Sequence, residues 1–371
     1  MIVKQWLRSK INSLMICLLA FFVTMNAHST PSSSTWSLEQ RTPYNVKIQH
    51  ASALDYHPRK NTIKPWKICA LVPHLKDAYW IGIDYGLVQH AKALNIKLEL
   101  FEAGSYYGKK KQLSQLSHCM NHDYDAILLG SVDPKLLSYY YDPITKPVIA
   151  LVNRIVSPKI KTRVGVSWYQ MGWHAGNFIK TEVEKKRLEN RGKSIGKKQT
   201  KTTLALLTGP EKMGGSDWVE QGIMAVLENS QVTISSVRHA DNNRNLYRDQ
   251  LHHLLNDQTP DYILGTAVAI EAAIGELQHK KVAQQVKLVS SYLSPAVLRG
   301  LFRNKVAFSS DDLVVLQGKL AIDVMVRILE GANEFGDIGP AIQMLDNDVL
   351  SDNLLSDSLA PAEFYPIYRV N

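Results

Sequence analysis

The chain has 371 residues, 45% of them hydrophobic, with 43 basic against 34 acidic side chains and a formal charge of +9. That apolar content excludes a disordered chain, and three cysteines exclude a disulfide-rich miniprotein. The length exceeds one comfortable hydrophobic core and calls for two.

Residues 1–27 read as a secretory signal peptide: Lys4, Arg8 and Lys10 precede an uncharged apolar run from Ile11 to Met25, and small residues follow near Ala27. The run is shorter than the roughly 20 residues of a spanning helix, and no later stretch could span a bilayer, so no membrane span is expected once the signal is cleaved. Cleavage removes three basic side chains and leaves a mildly basic chain. Residues 28–65, rich in Ser, Thr and Pro with weak periodicity, read as an N-terminal arm, and order is expected from Trp66.

From there strands and amphipathic helices alternate. KICALVPH is followed by a helix from about Tyr79 to Leu94, IKLELFEAG by a helix from about Lys111 to His122, AILLGS by a helix after Pro134, and PVIALVN ends the series. The rhythm restarts with a helix from about Met171 to Val183 and a basic run, Glu184 to Lys201, that reads as a solvated insertion. No aromatic residue interleaves in it for base stacking, so no nucleic-acid partner is expected. TLALLTGP, a helix from Asp217 to Asn229, QVTISSV, a helix from Asn245 to Leu255, YILGTA, a helix from Glu271 to His279, and KLVSSYL complete a second series. Two parallel sheets covered by helices are implied, with ligands beyond the carboxyl ends of the strands. Cys17 leaves with the signal, and Cys69 and Cys119 are compatible either with one disulfide or with two buried thiols.

The segment ALVPHLKDAYWIGIDYGL resembles the first strand, loop and helix of type I periplasmic binding proteins. Similar landmarks recur in order: ILLGSVDP, PVIALVNR, VGVSWYQMG, LTGPEKMGGSDWVEQGIMAVL, GTAVAIEAAIGEL, VSSYLSP and VAFSSDDLVVLQGKLAID. The likeness spans about Trp66 to Ile342 and implies an α/β fold of two doubly wound parallel-sheet lobes joined by a three-strand hinge. The crossings implied lie near Gly165 to Ser167, Phe308 to Ser310 and Ala341 to Met344. The N-terminal lobe would comprise 66–166 and 311–342, and the C-terminal lobe 167–310 and 343–371. Within the family, LKDAYW, LFEAGSYY, LVNRI, RVGVSWYQMG, GTAVAIEAAIGE and YLSPAVLRGL resemble members that present trimethylamine N-oxide to the periplasmic domain of a sensor histidine kinase. This implies a periplasmic protein controlling a respiratory reductase system, with that kinase as partner and no cofactor.

The matching positions imply a site. Asp77, Tyr79 and Trp80 stand in the first loop, Asn153 and Arg154 after VIALV, and Tyr292 where sugar binders often carry Asp; the arginine expected after GGS is replaced by Trp218 and Val219. A polyol would leave too many groups unpaired there, at about 1–3 kcal/mol each. Tyr79, Trp80, Trp168 and Tyr292 could instead cage the three methyls of a trimethylamine N-oxide or related methylated amine, each face contributing about 0.5–2 kcal/mol. Tyr106 joins them after the second strand, Asn153 bonds its own turn or the ligand, and Asp311 faces the cationic end or fixes the hinge. An aromatic pair opening a helix is, on its own, an ordinary core element. An enzyme is disfavoured, because no phosphate loop, H-E-x-x-H, G-x-S-x-G or Cys/His cluster occurs and no catalytic or metal residue is expected. The sugar-binding component of an importer remains the alternative.

Overall fold

A computed structural model describes residues 35–42, 44, 50–190, 201–346 and 355–371. The signal peptide, residues 28–34, 43 and 45–49 of the arm, residues 191–200 of the basic run and residues 347–354 lie outside the described residues. Two short strands come first, β1 (Trp36–Arg41) and β2 (Ser52–Tyr56). β3 (Lys67–Val72), α1 (Ala78–Ala93), β4 (Lys97–Glu102), α2 (Lys109–Asn121), β5 (Ala126–Leu129), β6 (Val148–Leu151) and β7 (Thr162–Val164) follow. The chain continues through α3 (Trp168–Asn190), β8 (Thr202–Thr208), α4 (Ser216–Leu227), β9 (Val232–His239), α5 (Arg244–Asp257), β10 (Tyr262–Gly265), α6 (Ala267–His279), β11 (Lys287–Ser290) and α7 (Pro295–Phe302). It closes with β12 (Phe308–Asp311), α8 (Val314–Leu329), β13 (Gly336–Pro340), β14 (Gln343–Leu345) and β15 (Arg369–Val370).

The strands form two sheets, ordered β15-β4-β3-β5-β6-β7-β13-β1-β2 and β14-β12-β11-β10-β8-β9. Inner strands such as AILL in β5 and YILG in β10 are buried along their whole length, as parallel strands between two helical layers must be. In the first sheet the chain leaves β3 for β4 on one side and returns to β5 on the other; in the second it does the same from β8 to β9 and β10. Each reversal opens a crevice at the carboxyl ends of the strands. The α/β class and the two-lobed family architecture are as the sequence implies.

Several local expectations are corrected. The helix after Pro134 is a single 3-10 turn, Leu136–Tyr139. The helix expected to end at Val183 continues as α3 to Asn190, so the first part of the basic run is an exposed helical extension rather than a loop. The arm is not outside the body: β1 pairs antiparallel with both β13 and β2 and buries Leu38 and Arg41. Nor does the tail stay with the second lobe. β14 pairs with β12, but Ile367 N–H donates to Asp84, Leu100 N–H donates to Tyr368 O, and β15 pairs with β4. It thereby covers an edge strand that would otherwise present unpaired backbone groups.

Cys69 in β3 and Cys119 in α2 form a disulfide, with Cα atoms 6.2 Å apart and both side chains fully buried. No helix among the described residues is long and apolar enough to cross a membrane.

Candidate aromatic site between the lobes

The loop after β3 ends in Asp77, whose carboxylate accepts from Trp80 N–H (3.1 Å) and so caps α1. This cap sets Tyr79 and Trp80 on the first turn, at the crevice of the first sheet. On the facing side the loop after β8 runs through Pro210 and Met213 to Gly214 and Gly215, and Thr266 after β10 caps α6 by accepting from Ala269 N–H (3.2 Å). Trp168 opens α3 where the chain crosses between the lobes.

These elements enclose a cavity of about 40 Å³. Tyr79, Trp80, Tyr106, Trp168 and Tyr292 line it, with Thr208, Met213, Val219, Asn242, Thr266 and Ser291 among the remaining wall residues. One water needs roughly 10–15 Å³, so the space suits a guest of a few heavy atoms. Tyr79 is the hub: its ring lies 5.1 Å from Tyr292, 5.9 Å from Trp168 and 6.0 Å from Trp80, centroid to centroid.

The donors around this cavity are unevenly committed. Trp80 Nε1–H donates to Tyr106 Oη at 3.2 Å, and Asn153 Nδ2 approaches the same oxygen at 3.5 Å. The Tyr106 oxygen is therefore supplied with donors while its own proton remains to be given. Trp168 Nε1 and Tyr292 Oη are buried without a hydrogen bond of good geometry, although Thr266 stands beside Tyr292. Tyr79 is committed, donating to Asp312 Oδ2 at 2.6 Å. Burial pushes the hydroxyls of Tyr79, Tyr106 and Tyr292 upward, the first also because Asp312 is near, so all three stay neutral donors. Burial likewise raises Asp77, against the pull of His74, and Asp312, against its bonds from Tyr79 and Gln317.

Of the eight residues expected from the sequence, the five aromatic ones line the cavity. Three do not. Asp77 caps α1 and borders an adjoining hollow. Asn153 donates to Ser131 O at 2.8 Å, from behind Tyr106. Asp311 fixes the second crossing, accepting from Leu313 N–H (3.0 Å) and Ser358 Oγ (2.6 Å); burial raises its carboxyl to about 7. Arg154 turns away to Asp337 (2.8 Å), which also pairs with Arg163 and Arg41 at the base of the hinge. Burial alone would raise Asp337, but the three guanidinium groups hold it below the usual carboxylate range.

The residue that sequence reasoning missed is Asp312, the anchor of Tyr79. The lobe-two wall around Pro210, Met213 and Val219 was within reach, since the GPEKMGGSDWV segment already stood out as a landmark.

Comparison with known proteins agrees with this architecture. TorT, a periplasmic protein of Escherichia coli strain K12, is 34% identical over 306 residues, covering 82% of this chain and 85% of the relative. A crystal structure of TorT with the TorS sensor domain in the presence of TMAO matches at 36% identity and a TM-score of 0.70, covering 82% of this chain and 99% of that one. An ABC transporter solute-binding protein from Bradyrhizobium sp. BTAi1, with bound bis-tris, matches at 29% identity and a TM-score of 0.73, covering 90% and 98%. Residues 65–343 match the family of periplasmic binding proteins and the sugar-binding domain of the LacI family, and the chain belongs to that family.

Proposed function

We propose that this protein is a periplasmic receptor that binds trimethylamine N-oxide, or a closely related methylated amine, between its lobes and presents the closed form to the sensor domain of a histidine kinase. It binds its ligand and does not transform it. The observation that carries the reading is the cavity itself: five aromatic rings around about 40 Å³, with the Trp168 N–H buried there and meeting no acceptor. Ring faces attract a methylated, positively polarised nitrogen through their quadrupole. The N-oxide oxygen accepts strongly, and Trp168 Nε1–H, Tyr106 and Tyr292 offer it protons. Tyr79, Trp80, Tyr106, Trp168 and Tyr292 are the ligand-contacting residues in this reading; Asp77, Asn153 and Asp311 support the walls and the hinge. The kinase partner is carried over from TorT, whose complex with the TorS sensor domain shares this fold at 36% identity.

Ligand that touches both lobes favours closure, and a partner that reads the closed surface is coupled to the ligand by a single reciprocal factor. Calorimetric titration of the mature protein with trimethylamine N-oxide and with ribose, with and without the kinase sensor domain, tests this. The N-oxide is expected to bind, and to bind more tightly with the sensor domain present, while ribose gives no heat. Ribose binding in place of the N-oxide would return the protein to the sugar receptors; equal N-oxide affinities in the two titrations would remove the coupling.

A further inference from the structure

Beside the aromatic cavity lies a second hollow of about 460 Å³, opening between the same two lobes and lined by Lys76, Asp77, Arg244, Asn245, Glu271 and Ser294 among others. Among the described residues, three line both spaces: Tyr79, Asn242 and Tyr292. The two tyrosines meet edge to face, at 5.1 Å and 78°, and each is only 4% exposed. One is anchored and one is not. Tyr79 is held by Asp312, itself fixed by Gln317 (2.8 Å), whereas the Tyr292 hydroxyl has no well-formed hydrogen bond and its ring is held by packing.

The two spaces differ in chemistry. The inner one presents neutral rings and a few hydroxyl and N–H donors. The outer one carries both signs of charge: Lys76 offers a cation, Arg244 stands 3.4 Å from Glu271, and Asp77 spends one carboxylate oxygen on the α1 cap while the other, buried, has no well-formed hydrogen bond although Asn242 stands beside it. A trimethylammonium group suits the first, and a carboxylate borne a few bonds away suits the second. To occupy both, such a molecule would have to pass through the plane of the tyrosine pair.

We infer that the Tyr79–Tyr292 pair is the specificity-determining partition of this cleft, confining the site to compact methylated amines and excluding trimethylammonium carboxylates that the outer hollow would otherwise accept. The inference rests on the reading of the inner cavity as a methylated-amine site. Removing the unanchored ring joins the two spaces. The test is calorimetry of trimethylamine N-oxide and of carnitine, a trimethylammonium carboxylate, against the wild type, Tyr292→Ala and Tyr292→Phe, with circular dichroism melts of each. The wild type is expected to bind carnitine at least about tenfold more weakly than the N-oxide; Tyr292→Phe, which keeps the ring and loses the hydroxyl, to gain nothing for carnitine while losing some N-oxide affinity; and Tyr292→Ala to gain about tenfold or more for carnitine while losing affinity for the N-oxide. A wild type that holds both compounds equally overturns the partition, as does a Tyr292→Ala protein that melts cooperatively and gains nothing. If Tyr292→Ala does not fold, Tyr292→Leu carries the same comparison. Absence of N-oxide binding to the wild type defeats the reading of the cavity, and the partition with it, and is told apart because it shows before any substitution is made.

Discussion

At Trp168 one side chain offers a guest two things, a ring face and an N–H that meets no acceptor. Trp168→Phe keeps the first and deletes the second. It is expected to weaken trimethylamine N-oxide binding by about 1 kcal/mol, the net worth of one hydrogen bond, with the melting curve unchanged; calorimetry reads it, and an unaltered affinity would show the N–H to be unused. The aromatic lining was legible only through the family resemblance, whose matching positions fell on these rings; on its own, an aromatic pair opening a helix is an ordinary core element. Asp311 and Asp312 were not separable in that way. They are chemically identical neighbours, and which one faces Tyr79 is decided by the turn, where Leu313 adopts a left-handed φ of 53°. Such a conformation costs a non-glycine residue about 1 kcal/mol or more and is set by tertiary context, here the Asp311 carboxylate holding the Leu313 N–H.

At the scale of elements, the tail and α1 meet through a buried acid. Asp84 accepts from Ile367 N–H at 2.9 Å, its other oxygen has no partner, and burial lifts its carboxyl to about 7 despite that bond. A carboxyl raised on folding takes up a proton in the native state more readily than in the unfolded chain. Its penalty is therefore absent well below pH 4, grows between about pH 4 and 7, and is complete above pH 7. Asp84→Asn keeps an acceptor for Ile367 and removes the titration. It should stabilise the protein more at pH 8 than at pH 5, by at least about 1 kcal/mol in urea unfolding; an equal gain at both values would place the acid elsewhere in its titration. Most helices and parallel strands could be placed from periodicity, because their apolar runs are long. The antiparallel additions could not. β1, β2 and β15 are strands of two to six residues, β1 and β15 pair with strands far off in sequence, and β1 hides a charged residue, Arg41, that Glu39, the Gly165 carbonyl and Asp337 hold together.

For the whole molecule, closure depends on backbone passing between rings. Gly214 has a φ of +57°, and a Cβ built there would lie 2.8 Å from the Tyr106 ring on the other lobe. Gly214→Ala is accordingly expected to hold the lobes apart. Small-angle scattering with saturating ligand should show a larger radius of gyration than the wild type, and N-oxide affinity should fall by about tenfold or more; a variant that closes normally would mean that Tyr106 yields. The arrangement of the sheets carries a different consequence. The opening strands β1 and β2 and the final strand β15 all belong to the first sheet, so the second lobe contains neither of these ends and is slung from the first like a bucket from its handle. Spectroscopic probes attached at β1 and β15 ride together on that handle, and the distance between them stays constant however far the bucket swings. A reporter of ligand arrival needs one of its dyes inside the second lobe, on a surface such as the exposed face of α5.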